Sequence, residues 1–239
     1  MAAAVRHPST EHRSALLAYP DTPASLRDLM QPIARNAGAS RKAIQARSQD
    51  KVDKVLAATN DLLVSVGPSG VTTTSVAAHA GVSVGWMYNF FTDREALLEE
   101  VLIQGLVDLD ERFEEAGFSL SGPDWRTTAA AGIDALFDFM FNGTGIAGFR
   151  LLWFSTEFSG RMVQVNRAHD DALAAYLCRG VTALRADAPD IPFYLVTQTF
   201  IGMLDKGFDI AFRTDPNGDK TAFSESRRAA LAYLETFLN

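Results

Sequence analysis

The side chains able to do covalent chemistry are few and poorly spaced for it. Four histidines, His7, His12, His79 and His169, are scattered along the chain, and the single cysteine, Cys178, lies in a predicted helix beside Leu177. No Ser/His/Asp order, zinc-ligand spacing or phosphate loop appears. His169-Asp170-Asp171 has metal-ligating residue types, but neighbours on a helix point apart, so no metal is expected there. Glu157 and Arg161, four apart, read as a surface pair. Asp134 and Asp138 lie opposite the Ile133/Phe137/Met140 face and read as solvated carboxylates. The expectation is therefore no enzyme, no metal and no cofactor. The informative stretch is Thr72–Phe91, a run of hydroxyls, small apolar residues and aromatics. It is preceded by the basic cluster Arg35, Arg41, Lys42, Arg47, Lys51 and Lys54, which reads either as a solvated face or as an arm for a polyanion.

Charge arithmetic separates the two ends. The 239 residues sum to -7, with a pI near 5.1, which at first argues against a nucleic-acid partner. Residues 1–60, however, carry nine Lys/Arg against five Asp/Glu, while residues 61–239 carry thirteen against twenty-four. A basic head on an acidic body is a different object from a uniformly acidic protein. At 47% hydrophobic and 21% charged the composition is that of an ordinary globular chain. One cysteine allows no internal disulfide and suits a reducing compartment. No apolar run approaches the about 18 residues of a membrane span, and the N-terminus lacks a signal-peptide core, so a cytoplasmic protein is expected.

The elements that must position Thr72–Phe91 are all helical. Residues 43–66 repeat Val52, Val55, Leu56, Thr59, Leu62, Leu63 and Val66 at three and four, until Gly67-Pro68-Ser69-Gly70 ends the run. Thr72 caps a helix over 73–80, Gly81 makes a turn, Ser83 caps a short helix over 84–90, and Asp93 or Thr92 opens a helix over 94–115. Val76, Ala77, Ala80 and Val82 let two helices cross closely. The 84–90 helix is too short to stand alone and must be held by Met87 and Phe91. It shows Val84, Gly85, Trp86, Tyr88 and Asn89 outward, and its N-terminus favours a phosphate. This is a helix-turn-helix arrangement.

Residues 1–22 are polar and expected to be mobile; 24–36 place Leu26, Leu29, Met30 and Ile33 on one face of a short helix that must bury against its own module, the body or a partner. Beyond 115 the pattern stays helical. Leu151, Phe154, Phe158 and Met162 form one face, and further helices follow at 167–186, 192–213 and 221–238. The predicted fold class is all-α, divided into an extension (1–42), a helix-turn-helix module (43–93) and a larger helical body (94–239).

The stretch from about Lys51 to Leu98 resembles the DNA-binding domain of the TetR family of bacterial transcriptional regulators. Val55-Leu56 and Leu62 match its first helix, Gly67 and Thr72 its glycine and threonine, and Ala80-Gly-Val-Ser-Val-Gly-Trp-Met-Tyr88 its turn-and-recognition signature. Phe91 with Arg94-Glu95-Ala-Leu97 matches the ending; Asn89-Phe90 and Arg94 depart from the commoner residues. The resemblance implies that Thr72 caps the second helix and touches a phosphate, and that Thr73 and Thr74 bond phosphate or a base. Ser83, Val84 and Trp86 would face the major groove, where valine and tryptophan read thymine methyls and shape. Tyr88, Asn89, Arg94, Lys51 and Lys54 would hold phosphates, with Arg41 and Lys42 in the basic arm. Trp86 as core, Tyr88 as packing and His79 as a surface residue are the plainer readings.

The resemblance also implies a homodimer paired through about 191–213 and 221–238, binding double-stranded operator DNA. Along 191–213 the polar residues Gln198, Gly202, Asp205 and Asp209 form a narrow stripe, leaving an apolar face wider than a surface helix needs. An apolar or aromatic small-molecule effector is expected in a cavity lined by Phe137, Met140, Phe141, Trp153, Phe154, Phe158 and Phe200, acting on the head through the 94–115 helix. The alternatives are a DNA-binding regulator without an effector and, further off, a helical-bundle enzyme.

Overall fold

In the computed structural model the described residues are 25–30, 46–143, 146–154, 160–188, 190–213, 215 and 217–238, and among them every regular element is a helix. Helix α1 (Ala46–Gly70) is broken at Gly67, whose φ of 73° and ψ of 169° allow Pro68 to start a last turn. Its apolar stripe buries Val52, Val55, Ala58 and Leu63, and the Thr59 hydroxyl donates to the Val55 carbonyl at 2.7 Å, hiding its polarity. Helix α2 (Thr73–Ala80) begins with a reciprocal box: Thr72 Oγ1 accepts from Ser75 N–H at 3.0 Å, and Ser75 Oγ accepts from Thr72 N–H at 3.1 Å. It ends at Gly81, left-handed at φ 68°, whose N–H returns to the Ala77 and Ala78 carbonyls.

Helix α3 is shorter than expected, Val84–Met87 instead of 84–90. Tyr88-Asn89-Phe90 continue as tight turns, with Asn89 N–H on Trp86 O (3.1 Å) and Phe90 N–H on Met87 O (3.0 Å). This winding carries Phe91 inward, and Phe91 and Met87 are both buried. Helix α4 (Arg94–Glu115) is capped by Asp93, whose carboxylate accepts from Ala96 N–H at 2.7 Å.

The body consists of α5 (Trp125–Asn142), α6 (Ala147–Trp153), α7 (Gly160–Leu184), α8 (Phe193–Phe212) and α9 (Lys220–Leu238). Helix α8 packs on α9 and α7, α4 runs against α5, α6 and α7, and α6 lies on α1 of the head. The expected continuous face Leu151/Phe154/Phe158/Met162 is corrected: α6 ends at Trp153, α7 starts at Gly160, and Phe158 lies outside the described residues. Leu151 is exposed and Met162 buried, because α6 serves the head while α7 serves α8 and α4. The joint between α6 and α1 is close: a side chain at Gly148 would put its Cβ 2.4 Å from Asn60 Oδ1.

Two further expectations lie partly outside the described residues. The segment 24–36 shows a 3-10 turn at Leu26–Asp28 in its described part, with Ile33 outside it. Leu26, Leu29 and Met30 are fully buried, and the host is α4, where the Leu26 N–H donates to Glu114 at 3.1 Å. Of the expected pair Glu157–Arg161, Glu157 lies outside the described residues, and Arg161 stands in the first turn of α7. Its guanidinium bonds the buried Glu99 carboxylate and sits 3.5 Å from Asp93, the cap of α4.

Candidate nucleic-acid interface and effector cavity

On the head, the expected DNA-contacting residues fall on one continuous stretch of surface around α2 and α3. Ser83, Val84, Tyr88 and Asn89 are exposed, Val84 by 36% and Tyr88 by 54%. Ser83 Oγ accepts from Trp86 N–H at 3.2 Å and so fixes the start of α3. The Tyr88 hydroxyl lies 3.4 Å from Thr73 Oγ1, tying the recognition segment to the first turn of α2, and Thr72 and Thr74 are exposed beside it. Trp86 is neither core nor fully outward. It is half-buried, its ring 4.5 Å from Phe90, with Lys51 Nζ 5.7 Å above it as a cation–π contact. Lys51 and Lys54 are exposed on α1.

Arg94, expected on a phosphate, is engaged within the head. Its Nε donates to Val71 O at 2.8 Å and an Nη donates to Pro68 O, so the guanidinium clasps the turn after α1 to the start of α4. The planar five-donor group answers the Val71 carbonyl and adds a second donor to the Pro68 carbonyl, which also takes the Val71 N–H at 3.2 Å. Arg41 and Lys42 lie outside the described residues.

In the body, seven aromatic or methionine side chains were expected around one cavity. A cavity does lie between α4, α5, α7 and α8, lined among others by Leu109, Phe113, Phe118, Met140, Trp153, Leu173, Phe200 and Phe208. Of the expected seven it takes Met140, Trp153 and Phe200. Phe137, Phe141 and Phe154 belong instead to a neighbouring aromatic stack with Phe208, Phe212 and Phe223, at ring separations such as 4.9 Å (Phe141–Phe212) and 5.2 Å (Phe154–Phe212). Phe208 and Phe223 of that stack are buried, and the other four rings are half-buried against them. Phe158 is outside the described residues. The cavity encloses about 30 Å³, room for water only.

One end of this cavity is polar, which the expectation lacked. His169, Asp170 and Asp205 line it. His169 is buried, and its Nε2 meets Asp110 Oδ1 at 2.8 Å across α7 and α4. Burial opposes the charged imidazole, but Asp110 and then Asp170 outweigh it and carry His169 up to about 10. Burial pushes the Asp110 carboxyl up against the pull of His169. Burial and then Asp170 push Asp205 up to about 8, with His169 opposing. Beyond Asp170 and Asp205 a surface groove of about 250 Å³ opens between α7 and α8, bordered also by Arg167, Asp171, Gln198, Ile201 and Gly202.

Residues 55–101 match the family model of bacterial regulatory proteins, tetR family. That stretch is a TetR-family DNA-binding domain. Curated relatives include the HTH-type transcriptional regulator BetI of Stenotrophomonas maltophilia (strain R551-3), 25% identical over 184 residues that span 77% of this chain and 90% of the relative. BetI 2 of Chromohalobacter salexigens is 26% identical over 188 residues, 77% of this chain and 87% of its own. Among solved structures, a TetR-family regulator from Streptomyces coelicolor superposes with a TM-score of 0.57 at 24% identity, covering 81% of this chain and 100% of that one. The fatty acid degradation regulator FadR of Bacillus halodurans gives 0.58 at 17% identity over 76% and 94%. These likenesses establish the fold.

No described helix is long and apolar enough to cross a membrane, and no three described His, Cys, Asp or Glu side chains are grouped to hold a metal ion. The sequence reading missed Asp110 and Asp205 as site residues and set His169 aside with its neighbours. A signal existed for Asp110. It stands in the buried stripe Leu102–Leu106–Leu109–Phe113 of α4, and an acid there requires a buried partner.

Proposed function

We propose that this chain is a ligand-responsive repressor, a homodimer that holds a near-palindromic operator and lets go when an apolar small molecule occupies the body. Residues 43–93 are the DNA-binding domain, 94–239 the effector and dimerisation domain, and 1–42 an accessory extension; the protein acts in the cytoplasm with its DNA. The observation that carries this reading is the exposed set Ser83, Val84, Tyr88 and Asn89 on a head fixed by caps at Thr72, Ser83 and Asp93. In the complex α3 enters the major groove, where Val84 and the open edge of Trp86 read thymine methyls and shape. Thr72, Thr73, Thr74, Tyr88, Asn89, Lys51 and Lys54 sit along the phosphates, with Arg41 and Lys42 extending the basic footprint. Arg94 acts by positioning.

Pairing through α8 and α9 agrees with Leu195 and Ile210, large apolar side chains of α8 that are 55% and 47% exposed. Gly202 faces open space, so a second backbone can approach it. Two copies then place their recognition segments about one DNA turn apart. The link from cavity to head runs through α6 as well as α4. Trp153 at one end of α6 lines the cavity, and Gly148 near the other abuts Asn60 of α1. A ligand that displaces Trp153 moves α6 and with it the head; by linkage the ligand binds the DNA-free form more tightly.

The test is a nuclease footprint with the full chain on the DNA upstream of its own gene, repeated with apolar and aromatic compounds. A protected near-palindrome that a compound releases is the expected result. The closed cavity favours one second reading, a regulator without an effector, which predicts protection that no compound relieves. A Tyr88→Ala/Asn89→Ala variant that protects DNA as well as its parent overturns the interface.

A further inference from the structure

Resting on the ligand-response reading above, we propose that the effector carries one neutral oxygen acceptor, a ketone or ester oxygen, on its apolar body, and that His169 and Asp205 receive that oxygen at the polar end of the cavity.

The polar end of the cavity holds donors in want of an acceptor. His169 is 2% exposed; Asp110 takes its Nε2, while its Nδ1 has no hydrogen-bond partner. The nearest oxygen on that side, Asp170 Oδ1, is 3.8 Å away, beyond hydrogen-bond reach. With its titration moved up to about 10, His169 is an imidazolium at neutral pH and Nδ1 bears a hydrogen. Asp205, half-buried on α8, titrates at about 8 and keeps its acid proton at neutral pH, which makes it a second donor on the same wall. The charged groups around Asp205 are His169, Asp170, Asp171 and Arg167 of α7, with Asp110 of α4 behind His169. Asp171 is engaged by the Tyr194 hydroxyl at 3.2 Å and by Gln198 Nε2 at 2.8 Å.

Charge then selects among head groups. Either charge meets one like-signed neighbour, Asp170 for an anion and the His169 imidazolium for a cation, and gives up its hydration on entering the apolar cavity. A neutral oxygen meets neither cost and fills the vacant donors. The surface groove beyond this end shares Asp170, Ile201 and Asp205 with the cavity. The apolar remainder then lies where Phe113, Phe200 and Trp153 now close the space, so seating it and displacing Trp153 are the same event.

The experiment titrates the full chain by calorimetry with three probes of equal length: octan-2-one, octylamine and octanoate. The ketone is expected to bind about tenfold or more tightly than either charged probe near neutral pH. Its affinity falls by about fivefold or more in all as pH rises through the Asp205 titration near 8, as the donor is lost, and then levels off. Asp205→Asn keeps an N–H donor, so it holds the ketone within about threefold and removes that pH dependence, whereas Asp205→Ala loses about fivefold or more. Equal or tighter binding of the amine or the acid overturns the inference. So does an Asp205→Asn variant that keeps the pH dependence, or the absence of binding by all three probes. The footprint separates the two readings: a ketone that binds without releasing DNA breaks the release reading alone, while release by the amine or the acid breaks this inference alone.

Discussion

The head and the body of this regulator are held by devices of opposite range. In the head, the contacts that start and stop the helices span a few residues: Thr72 with Ser75, Ser83 with Trp86, Asp93 with Ala96, and Gly81 returning to Ala77. Such caps let a four-residue helix persist in one geometry. In the body the decisive contacts join distant residues: His169 to Asp110 from 59 residues away, and Arg227 to Asp134 from 93. A locally built head can present a fixed surface whatever the body does. A body whose polar pair spans two helices registers any change in how those helices sit.

The largest expected effect tests the body. His169→Leu leaves Asp110 buried without its partner and should cost about 3–5 kcal/mol in urea unfolding. Adding Asp110→Leu should restore at least half of the loss, since two apolar residues dispense with burying charge. A double variant as unstable as the single would show that the pair is not what joins α4 and α7.

In the head, Thr72→Ala should cost about 1 kcal/mol, and Gly81→Ala about 1–2 kcal/mol because a Cβ resists the left-handed turn. Neither should alter octan-2-one binding. A shared loss there would break the separation of head from body.

Solution pH probes the body alone. The folded His169 titrates near 10 against an ordinary 6.5, so its contribution is present below about 6.5 and lost as pH rises toward 10. Asp205, raised to about 8 from 3.8, has the same sign, its share being lost as pH rises through 8. The melting temperature should therefore fall between neutral pH and pH 10, and fall less in Asp205→Asn; a rise on alkalinisation contradicts this.

The smallest stability effect is at the surface. Lys51→Ala or Lys54→Ala should leave unfolding within about 0.5 kcal/mol of the parent and reduce the log–log salt slope of operator binding by about one each. Lys51 also sits over Trp86, so it should weaken binding more than Lys54 does. Equal variants would remove the cation–π contact from the account.

The same difference of range explains what the sequence made legible. The order of head helices, the Thr72 and Ser83 caps and the Gly81 turn are written at spacings of three to five residues, and propensity reads those spacings directly. The early end of α3 at Met87 escaped it, as did the clasp of Arg94 on Pro68 and Val71, which depends on a fold-back of some twenty residues. In the body, apolar periodicity showed that Phe137, Phe141 and Phe154 face inward, without saying which helix each would meet; they met Phe212 and Phe223 in place of a cavity. The polar end needed three helices at once. Asp110 alone, an acid in an apolar stripe, offered a local hint.

The absent side chain at Gly148 has a mechanical consequence. Because the Asn60 oxygen stands where a Cβ would be, helix meets helix with no compressible layer between them. A joint of that kind stores little strain and passes displacement on nearly whole, as a rigid coupling does in place of a spring. The head should then switch between discrete settings, not drift in proportion to small body motions. Gly148→Ala would insert a washer into the coupling, and its mark would be a regulator that still binds its ligand and its DNA but no longer makes one answer to the other.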